Sequence, residues 1–155
     1  MEQFCEALLL LEQQFGCDVQ MALATARGGQ PSVRMVDGYY KDGSVYILTH
    51  TATHKMQEVT ENPYVSICKD LFCACGTAEN IGSPTAPENQ ELVNELKEVF
   101  CAFYDRHVNE SDPGTCILKI TLRQAVAFSG DTKYVIDFAS KSAVSSPFVG
   151  DIVLV

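Results

Sequence analysis

Apolar side chains recur every three or four positions in three segments of the chain, which is the spacing of one helical face. The first segment, residues 2–15, is followed by Gly16 at the expected C-terminal cap. The second, residues 53–61, ends before Pro63, because the residue preceding a proline avoids the α-helical region. The third and longest spans residues 87–107. Each predicted helix is amphipathic and needs another element to cover its apolar stripe.

Short strand-like segments fill the intervals between these helices and follow the last one. Turn signals at residues 27–31, 41–44 and 130–132 join neighbouring segments as hairpins. Six or seven short antiparallel strands with flanking helices predict an α+β fold built on a closed or partly closed β-barrel. Residues 139–155 carry no pattern that assigns them to an element. The predicted strands lie in VQMALATA, SVRMVDGYY, VYILTH, YVSIC, LFCACGTAENIG, TCILKITLRQAVAFSG and KYVIDF.

Length and charge restrict the class of protein. A chain of 155 residues can bury a core as a single domain, residues 1–155, with the barrel expected over residues 18–138. Its net charge of −9 opposes the electrostatic attraction on which nucleic-acid binding depends. No apolar run reaches the roughly 18 residues of a membrane-spanning helix, and acidic residues stand where a secretory signal would be basic. We therefore expect a cytoplasmic protein that binds neither nucleic acid nor membrane.

The seven cysteines favour free thiols over disulfides, because their number is odd and several stand within strand-like text. We expect Cys68, Cys73, Cys75 and Cys116 to be reduced and mostly buried. Cys73 and Cys75 would share one strand face, but no second pair stands at zinc-site spacing, so no metal site is predicted.

A candidate anion site lies where the third strand passes into the second helix. Thr49, Thr51 and Thr53 offer hydroxyl donors, and His54 and Lys55 occupy the first helical turn, where acidic residues are usual. Free backbone N–H groups and the positive end of the helix dipole favour an anion there. The alternative is that the threonines are helix caps and the lysine an ordinary helix former.

Arg34 supplies an independent argument, because an unpaired charge inside the apolar segment SVRMV would be costly to bury. The simpler alternative places Arg34 on the solvent face of an edge strand. One anion shared by Arg34 and residues 49–55 would explain both features, with the guanidinium making a bidentate contact.

Taken in order, these residues resemble the FMN-binding split-barrel family of pyridoxamine 5′-phosphate oxidase and its smaller relatives. The family pattern runs R-x-V, strand, T-x-x-x-S-x-K, helix, N-P-x-V-S. The similarity covers residues 18–82, with a weaker strand-level match to Phe138, and it implies a split β-barrel with bound FMN. The matching text of this chain is Arg34-Met35-Val36, Thr49, Thr53-His54-Lys55 and Asn62-Pro63-Tyr64-Val65-Ser66.

The resemblance, carried over residue by residue, assigns the phosphate end of the site. It implies that Arg34 and Lys55 contact the FMN phosphate and that Thr49 and Thr53 support it. His54 stands where relatives often have arginine.

Other residues would face the flavin ring or the substrate. Met35 and Val36 would present backbone groups to the isoalloxazine ring, and Tyr39 replaces a lysine that pyridoxamine phosphate oxidases carry. His50 is similar in placement to a histidine of the nitroimidazole-resistance branch, and near a flavin it could donate a proton to a reduced substrate. The alternative is a hydrogen-bonded strand-end histidine without a chemical role.

The function that the resemblance implies is an FMN-dependent oxidoreductase, passing electrons from reduced nicotinamide or another donor to a small acceptor such as a nitroaromatic or quinone. Pyridoxamine phosphate oxidation is not expected, because the tail SSPFVGDIVLV lacks the aromatic and paired arginines of that branch. The alternatives are a flavin carrier or redox sensor without turnover, or a barrel that binds deazaflavin or haem. Similar proteins are usually homodimers with FMN at the subunit interface, and the long helix and the tail are candidates for that contact.

Overall fold

The strands of the chain form one antiparallel sheet that closes on itself, as shown by a computed structural model that describes residues 1–148. The helices are α1 (Glu2–Phe15), α2 (His54–Glu61), α3 (Gln90–Val99) and α4 (Tyr104–His107), with a 3-10 turn at Pro87–Asn89. The strands are β1 (Val19–Arg27), β2 (Gln30–Lys41), β3 (Ser44–His50), β4 (Tyr64–Lys69), β5 (Phe72–Asn80), β6 (Thr115–Ser129), β7 (Thr132–Asp137) and β8 (Ser142–Pro147).

Six strands close the barrel in the order β3-β2-β1-β4-β5-β6, and β6 returns to pair with β3. The long strand β6 serves as the corner, pairing with β3 over residues 115–121, with β5 over 118–126 and with β7 over 124–129. A bulge in β6 gives the ladder the local bend that such a corner requires, because Arg123 is an extra residue opposite the step from Cys75 to Gly76 in β5. The predicted α+β fold, an antiparallel split β-barrel with flanking helices, is confirmed.

β2 and β3 separate soon after the turn that joins them. They pair only through residues 39–41 and 44–46, after which β3 follows β6 while β2 continues along β1. One edge of β2, over residues 30–38, therefore has no strand partner in the described part of the chain. This opening in the barrel places the segment that contains Arg34 at a free sheet edge.

Helices α1 and α2 cover the barrel. Ala7, Leu11 and Phe15 of α1 are buried in the main core, where the Phe15 ring lies 4.3 Å from that of Phe72, centroid to centroid. α2 packs on β1 and β5, with Met56 and Val59 directed inward as predicted. Both helices agree with the boundaries expected from periodicity to within one residue.

The third predicted helix, residues 87–107, is wrong as a single element. The chain leaves the helix after Val99, and a turn brings the ring of Phe103 to 5.1 Å from that of Phe100 before α4 begins. Periodicity did not indicate the break, because the buried residues keep helical spacing through it. Val93, Leu96, Phe100 and Tyr104 keep this spacing and form a second apolar cluster with Ile117 of β6.

One strand was not predicted. β8, with the polar sequence SAVSSP, pairs with β7 at the edge of the sheet and lacks the alternation typical of a half-buried strand. It lies within the segment 139–155 that the sequence left unassigned, and the rest of that tail, residues 149–155, lies outside the described residues. Within residues 1–148, no helix combines the length and apolar character needed to cross a membrane.

The expectation of mostly buried cysteines is wrong for three of the four residues named. Only Cys116 is buried, while Cys68, Cys73 and Cys75 are exposed free thiols. They occupy outward positions of β4 and β5, because alternate side chains of a barrel strand point away from the core.

Gly76 allows the close approach of β5 and β6 at the bulge, since an added Cβ would lie 2.3 Å from the Thr121 carbonyl oxygen. We expect Gly76→Ala to lower the free energy of unfolding by about 1–3 kcal/mol, because the backbone ladder must shift. Chemical denaturation measures this change. The control is Cys75→Ala at the exposed neighbouring position, expected within about 0.5 kcal/mol of the parent protein. Equal stability of the two variants would contradict this role for Gly76.

Candidate functional site

Arg34 lies on the same side of the sheet as its buried register partner Leu23, and only 23% of its side chain is exposed. Its Nη1 donates to the Leu23 carbonyl oxygen at 3.2 Å and to the Thr25 hydroxyl at 2.7 Å. Its Nη2 donates to Glu58 Oε2 at 2.9 Å. The arginine is therefore neither solvent-facing nor unpaired, because the chain supplies its own carboxylate.

Glu58 of α2 is the centre of this network, with 2% of its side chain exposed. Oε1 accepts from the Ser32 hydroxyl at 2.7 Å, and Oε2 accepts from the Thr25 hydroxyl and from Arg34. The hydrogen bonds from Thr25 and Ser32, joined by the one from Arg34, lower the pKa of Glu58 from 4.5 to about 2 against the opposing effect of burial. The carboxylate is thus ionised throughout the physiological pH range.

Sequence reasoning missed Glu58, although a signal was present. The residue stands between Met56 and Val59 on the inward face of α2, where a carboxylate requires a cation or several hydroxyl donors. The predicted site residue His54 also belongs to this neighbourhood, since its exposed ring places Nδ1 at 3.7 Å from Glu58 Oε1.

Lys55 lies close to Arg34 and is only partly exposed. Burial, followed by the positive charge of Arg34, holds the pKa of Lys55 below its usual value of 10.5, while Cys116 acts in the opposite direction. Lys55 forms no salt bridge with any residue in 1–148. Two cations therefore adjoin one another, and only Arg34 has a carboxylate partner.

The first turn of α2 beside these cations has free backbone donors. Thr53 is the N-cap residue, but its hydroxyl donates back to the His50 carbonyl oxygen at 2.8 Å and makes no cap hydrogen bond. The Thr49 hydroxyl lies 3.5 Å from that of Thr53. The N–H groups of His54 and Lys55 have no acceptor within the described residues. This helix end therefore offers an anion hydrogen bonds and a favourable dipole.

His50 is held by hydrogen bonds at both ring nitrogens. Nδ1 accepts from the Ala52 N–H at 3.0 Å, so the neutral ring carries its proton on Nε2 and donates it to Asp112 Oδ1 at 3.1 Å. Asp112 Oδ1 also accepts from the Gly114 N–H at 2.8 Å. Gly114 permits this contact, because a Cβ there would lie 2.2 Å from Nε2. The geometry fits a structural link between the end of β3 and the loop before β6.

A cleft of about 670 Å³ opens beside the end of β3. Asp37 of β2 and Leu48 of β3 both line it, so it lies across the opening where these strands separate. Its volume is in the range of small-molecule and cofactor sites, which is about 300–1,000 Å³. The predicted site residues that line this cleft are Thr49, His50 and Thr53.

The remaining predicted residues lie on β2. The Met35 side chain points outward and is 60% exposed, whereas Val36 is buried in the core. Tyr39 turns to α3, where its hydroxyl lies 3.3 Å from Glu95 Oε2, so it is not directed at the cation pair of Arg34 and Lys55. The structure thus brings Arg34, Lys55 and the Thr49–Thr53 segment to one junction of β2, β3 and α2, whereas the side chains of Met35, Val36 and Tyr39 are directed elsewhere.

An antiparallel barrel that opens between β2 and β3, with a helix beginning beside the opening, defines the class of split-barrel proteins. A family model described as "Pyridoxamine 5'-phosphate oxidase" matches residues 12–128, and the chain belongs to this family. No curated protein matches the sequence significantly.

Several solved structures share the fold. A protein related to general stress protein 26 from Clostridium acetobutylicum has 14% identity and a TM-score of 0.60, covering 91% of this chain and 98% of its own. A NimC/NimA family protein from the same organism has 19% identity and a TM-score of 0.56, covering 92% and 93%. A FAD-binding protein from Mesorhizobium loti has 18% identity and a TM-score of 0.60, covering 78% and 90%.

The low pKa of Glu58 predicts an acid-dependent stability. Because the folded-state pKa of about 2 lies below the usual 4.5, the ionised carboxylate stabilises the fold fully above about pH 5. That contribution is lost as the pH falls from 4.5 towards 2. We expect Glu58→Gln to destabilise the protein at neutral pH and to flatten the acid dependence, as measured by urea unfolding across the acid range.

The control for this experiment is Glu61→Gln, which removes a carboxylate from an exposed ion pair with Arg27. Exposed pairs contribute little, so its acid profile should follow that of the parent protein. An unaltered profile in Glu58→Gln would contradict the role assigned to Glu58.

Proposed function

We propose that the chain is a flavin-binding oxidoreductase that holds FMN by its phosphate at Arg34, Lys55 and the first turn of α2. The observation that carries this proposal is the half-buried Lys55 beside Arg34, because only Arg34 has a carboxylate partner among residues 1–148. A phosphate group would supply the missing negative charge. It would also accept hydrogen bonds from the free N–H groups of α2, with the hydroxyls of Thr49 and Thr53 close by.

Arg34 retains donors for such a ligand although Glu58 already binds it. A guanidinium has five N–H donors, and three of them make the hydrogen bonds to Leu23, Thr25 and Glu58. Nε and one hydrogen of Nη2 remain for an anion. Glu58 would therefore act as a positioning residue that fixes the guanidinium, and a bidentate phosphate contact fits the two remaining donors.

The ring of the flavin would lie along the free edge of β2. Backbone groups of Met35 and Val36 are proposed to contact it there, and the cleft that contains Thr49 and His50 offers the volume. Bound FMN would supply hydride or single-electron transfer from a donor such as reduced nicotinamide to a small acceptor, a nitroaromatic or a quinone. The FAD-binding protein with the same fold supports a flavin as the ligand.

The homodimer is also part of the proposal, and an exposed apolar row of the sheet supports it. One residue from each of seven neighbouring strands pairs with the next across the sheet. Each of these residues has an apolar or thiol side chain, and none of the side chains is buried. We call this row the apolar band. A second copy packed on it would remove large exposed side chains from water and could complete the cofactor site. The apolar band consists of Met35, Ala22, Cys68, Cys73, Val126, Val135 and Val144.

The compartment proposed is the cytoplasm, where thiols stay reduced, and the seven free cysteines support it.

The second candidate function is a flavin carrier or redox sensor without turnover. It is favoured by the hydrogen bonds of His50, which leave neither ring nitrogen free to give a proton to a substrate. Reduction of a nitroaromatic by the flavin-loaded protein with reduced nicotinamide, at rates well above those of free FMN, would exclude it.

Lys55→Gln tests the phosphate site with the least damage to the fold. Arg34→Ala is less suitable, because it would leave Glu58 buried without its cation. We expect Lys55→Gln to weaken FMN binding about 10–100-fold, the loss expected for a hydrogen bond to a charged group. Titration with FMN, followed by quenching of flavin fluorescence, measures the affinity.

The matched control is Lys69→Gln, which makes the same charge change at an exposed lysine of β4 paired with Asp70. Its FMN affinity should equal that of the parent protein. If both variants bind FMN as the parent does, the phosphate site is wrong. Absorbance and mass of the ligand that co-purifies separate FMN from deazaflavin and haem.

A further inference from the structure

Cys68 and Cys73 stand directly opposite each other on β4 and β5. The two strands are joined by a two-residue turn, Asp70 and Leu71, with Lys69 and Phe72 as the closing pair. In a two-residue hairpin the pair next to the turn, here Lys69 and Phe72, is hydrogen-bonded. Hydrogen-bonded and non-hydrogen-bonded pairs then alternate along the two strands. Cys68 and Cys73 therefore form a non-hydrogen-bonded pair, whose Cα atoms are typically about 4.5 Å apart.

This spacing suits a covalent bond between the two sulfurs, since disulfides join Cα atoms about 4.4–6.8 Å apart. Both side chains point outward and are exposed. The Cys68 thiol donates weakly to the Asp70 carbonyl oxygen at 3.6 Å, and both cysteines are free thiols in this structure. Reduced thiols are thus placed at a site already shaped for a cross-strand bridge.

The third thiol of this surface serves as an internal comparison. Cys75 has the same outward orientation two residues along β5, but its partner across the ladder is Ser66. A metal site made of the three thiols is not supported, because no group of three or more His, Cys, Asp or Glu side chains in residues 1–148 could hold a metal ion. The reactive group on this surface is therefore the thiol pair Cys68 and Cys73.

We propose that Cys68 and Cys73 are a redox modification site, which a hydroperoxide or a low-molecular-weight disulfide converts into a cross-strand disulfide. With a hydroperoxide, one thiolate takes the terminal oxygen to give a sulfenic acid and an alcohol, or water from hydrogen peroxide. The second thiol then displaces hydroxide, which leaves as water. With a small disulfide, two exchange steps release two small thiols and oxidise the pair by two electrons.

The site lies in the middle of the apolar band, and its chemistry does not depend on bound flavin. The bridge would tie the β4–β5 hairpin where the band is proposed to meet a second copy. Packing of that copy would shield the thiols, so oxidation should be faster in a dissociated chain than in a dimer. Dimer formation would therefore protect Cys68 and Cys73 from oxidation.

Peptide mapping of the full chain tests the proposal. The protein is treated with hydrogen peroxide or oxidised glutathione, alkylated and digested with trypsin. Cleavage after Lys69 separates Cys68 from Cys73, so their disulfide appears as two joined peptides. Cys73 and Cys75 share the tryptic peptide 70–97, so fragmentation between these two residues shows which of them is bonded to Cys68. We expect this species, a mass decrease of about 2 Da, and a fall by two from the seven thiols counted after denaturation.

Three variants make the test specific. Cys68→Ser should abolish the joined peptides and leave Cys73 as a sulfenic acid or a mixed disulfide with glutathione. Cys75→Ser should form the bridge as the parent protein does. Val144→Asp, at an exposed edge of the band, should keep the chain monomeric, as checked by light scattering, and so expose the pair.

The proposal is overturned if monomeric Val144→Asp protein retains all seven thiols under these oxidants. It is overturned equally if Cys75 joins Cys68 or Cys73 as often as these two join each other. Both outcomes can be read from protein without flavin, so they are independent of whether the FMN proposal holds.

Discussion

The buried ion pair of Arg34 and Glu58 is the interaction on which the junction of the split barrel depends. It connects β2 to α2. Among residues 1–148, the edge of β2 over residues 30–38 has no strand partner, and the N–H groups of the first turn of α2 have no acceptor. Buried ion pairs often add little net stability, so we interpret this one mainly as a positioning contact. It orients the guanidinium, and it leaves Lys55 as the cation without a carboxylate partner among residues 1–148.

Much of the fold could be predicted because its elements have local signals. The helical stripe of residues 2–15 and the alternating strands with their turns are properties of neighbouring residues, and the barrel confirms them. The helix break after Val99 could not be read, because Tyr104 continues the helical spacing beyond it. β8 was missed because an exposed edge strand can be polar on both faces. Burial of Cys68 was misjudged because alternation alone does not say which strand face is inside.

In the candidate site, features set by neighbouring residues could be predicted, whereas contacts between residues far apart in the sequence could not. The helix start with Lys55 and the arginine of β2 could be read from the sequence and fall at one junction. The pairing of Arg34 with Glu58 joins residues 24 positions apart, and that of His50 with Asp112 spans 62. Such pairs depend on how strands and helices meet in space, which periodicity does not record. These two pairs change the chemistry most, since one neutralises part of the expected anion site and the other engages the expected proton donor.

The excess positive charge beside α2 is proposed to recognise a flavin phosphate. Riboflavin has the same ring as FMN and lacks only the phosphate, so comparing the two ligands isolates that contact. The most direct measurement is the affinity of the unmodified protein for FMN and for riboflavin, by calorimetric titration at neutral pH. FMN is expected to bind at least about tenfold more tightly, as expected for one or more charged hydrogen bonds. Equal affinities for FMN and riboflavin would contradict it.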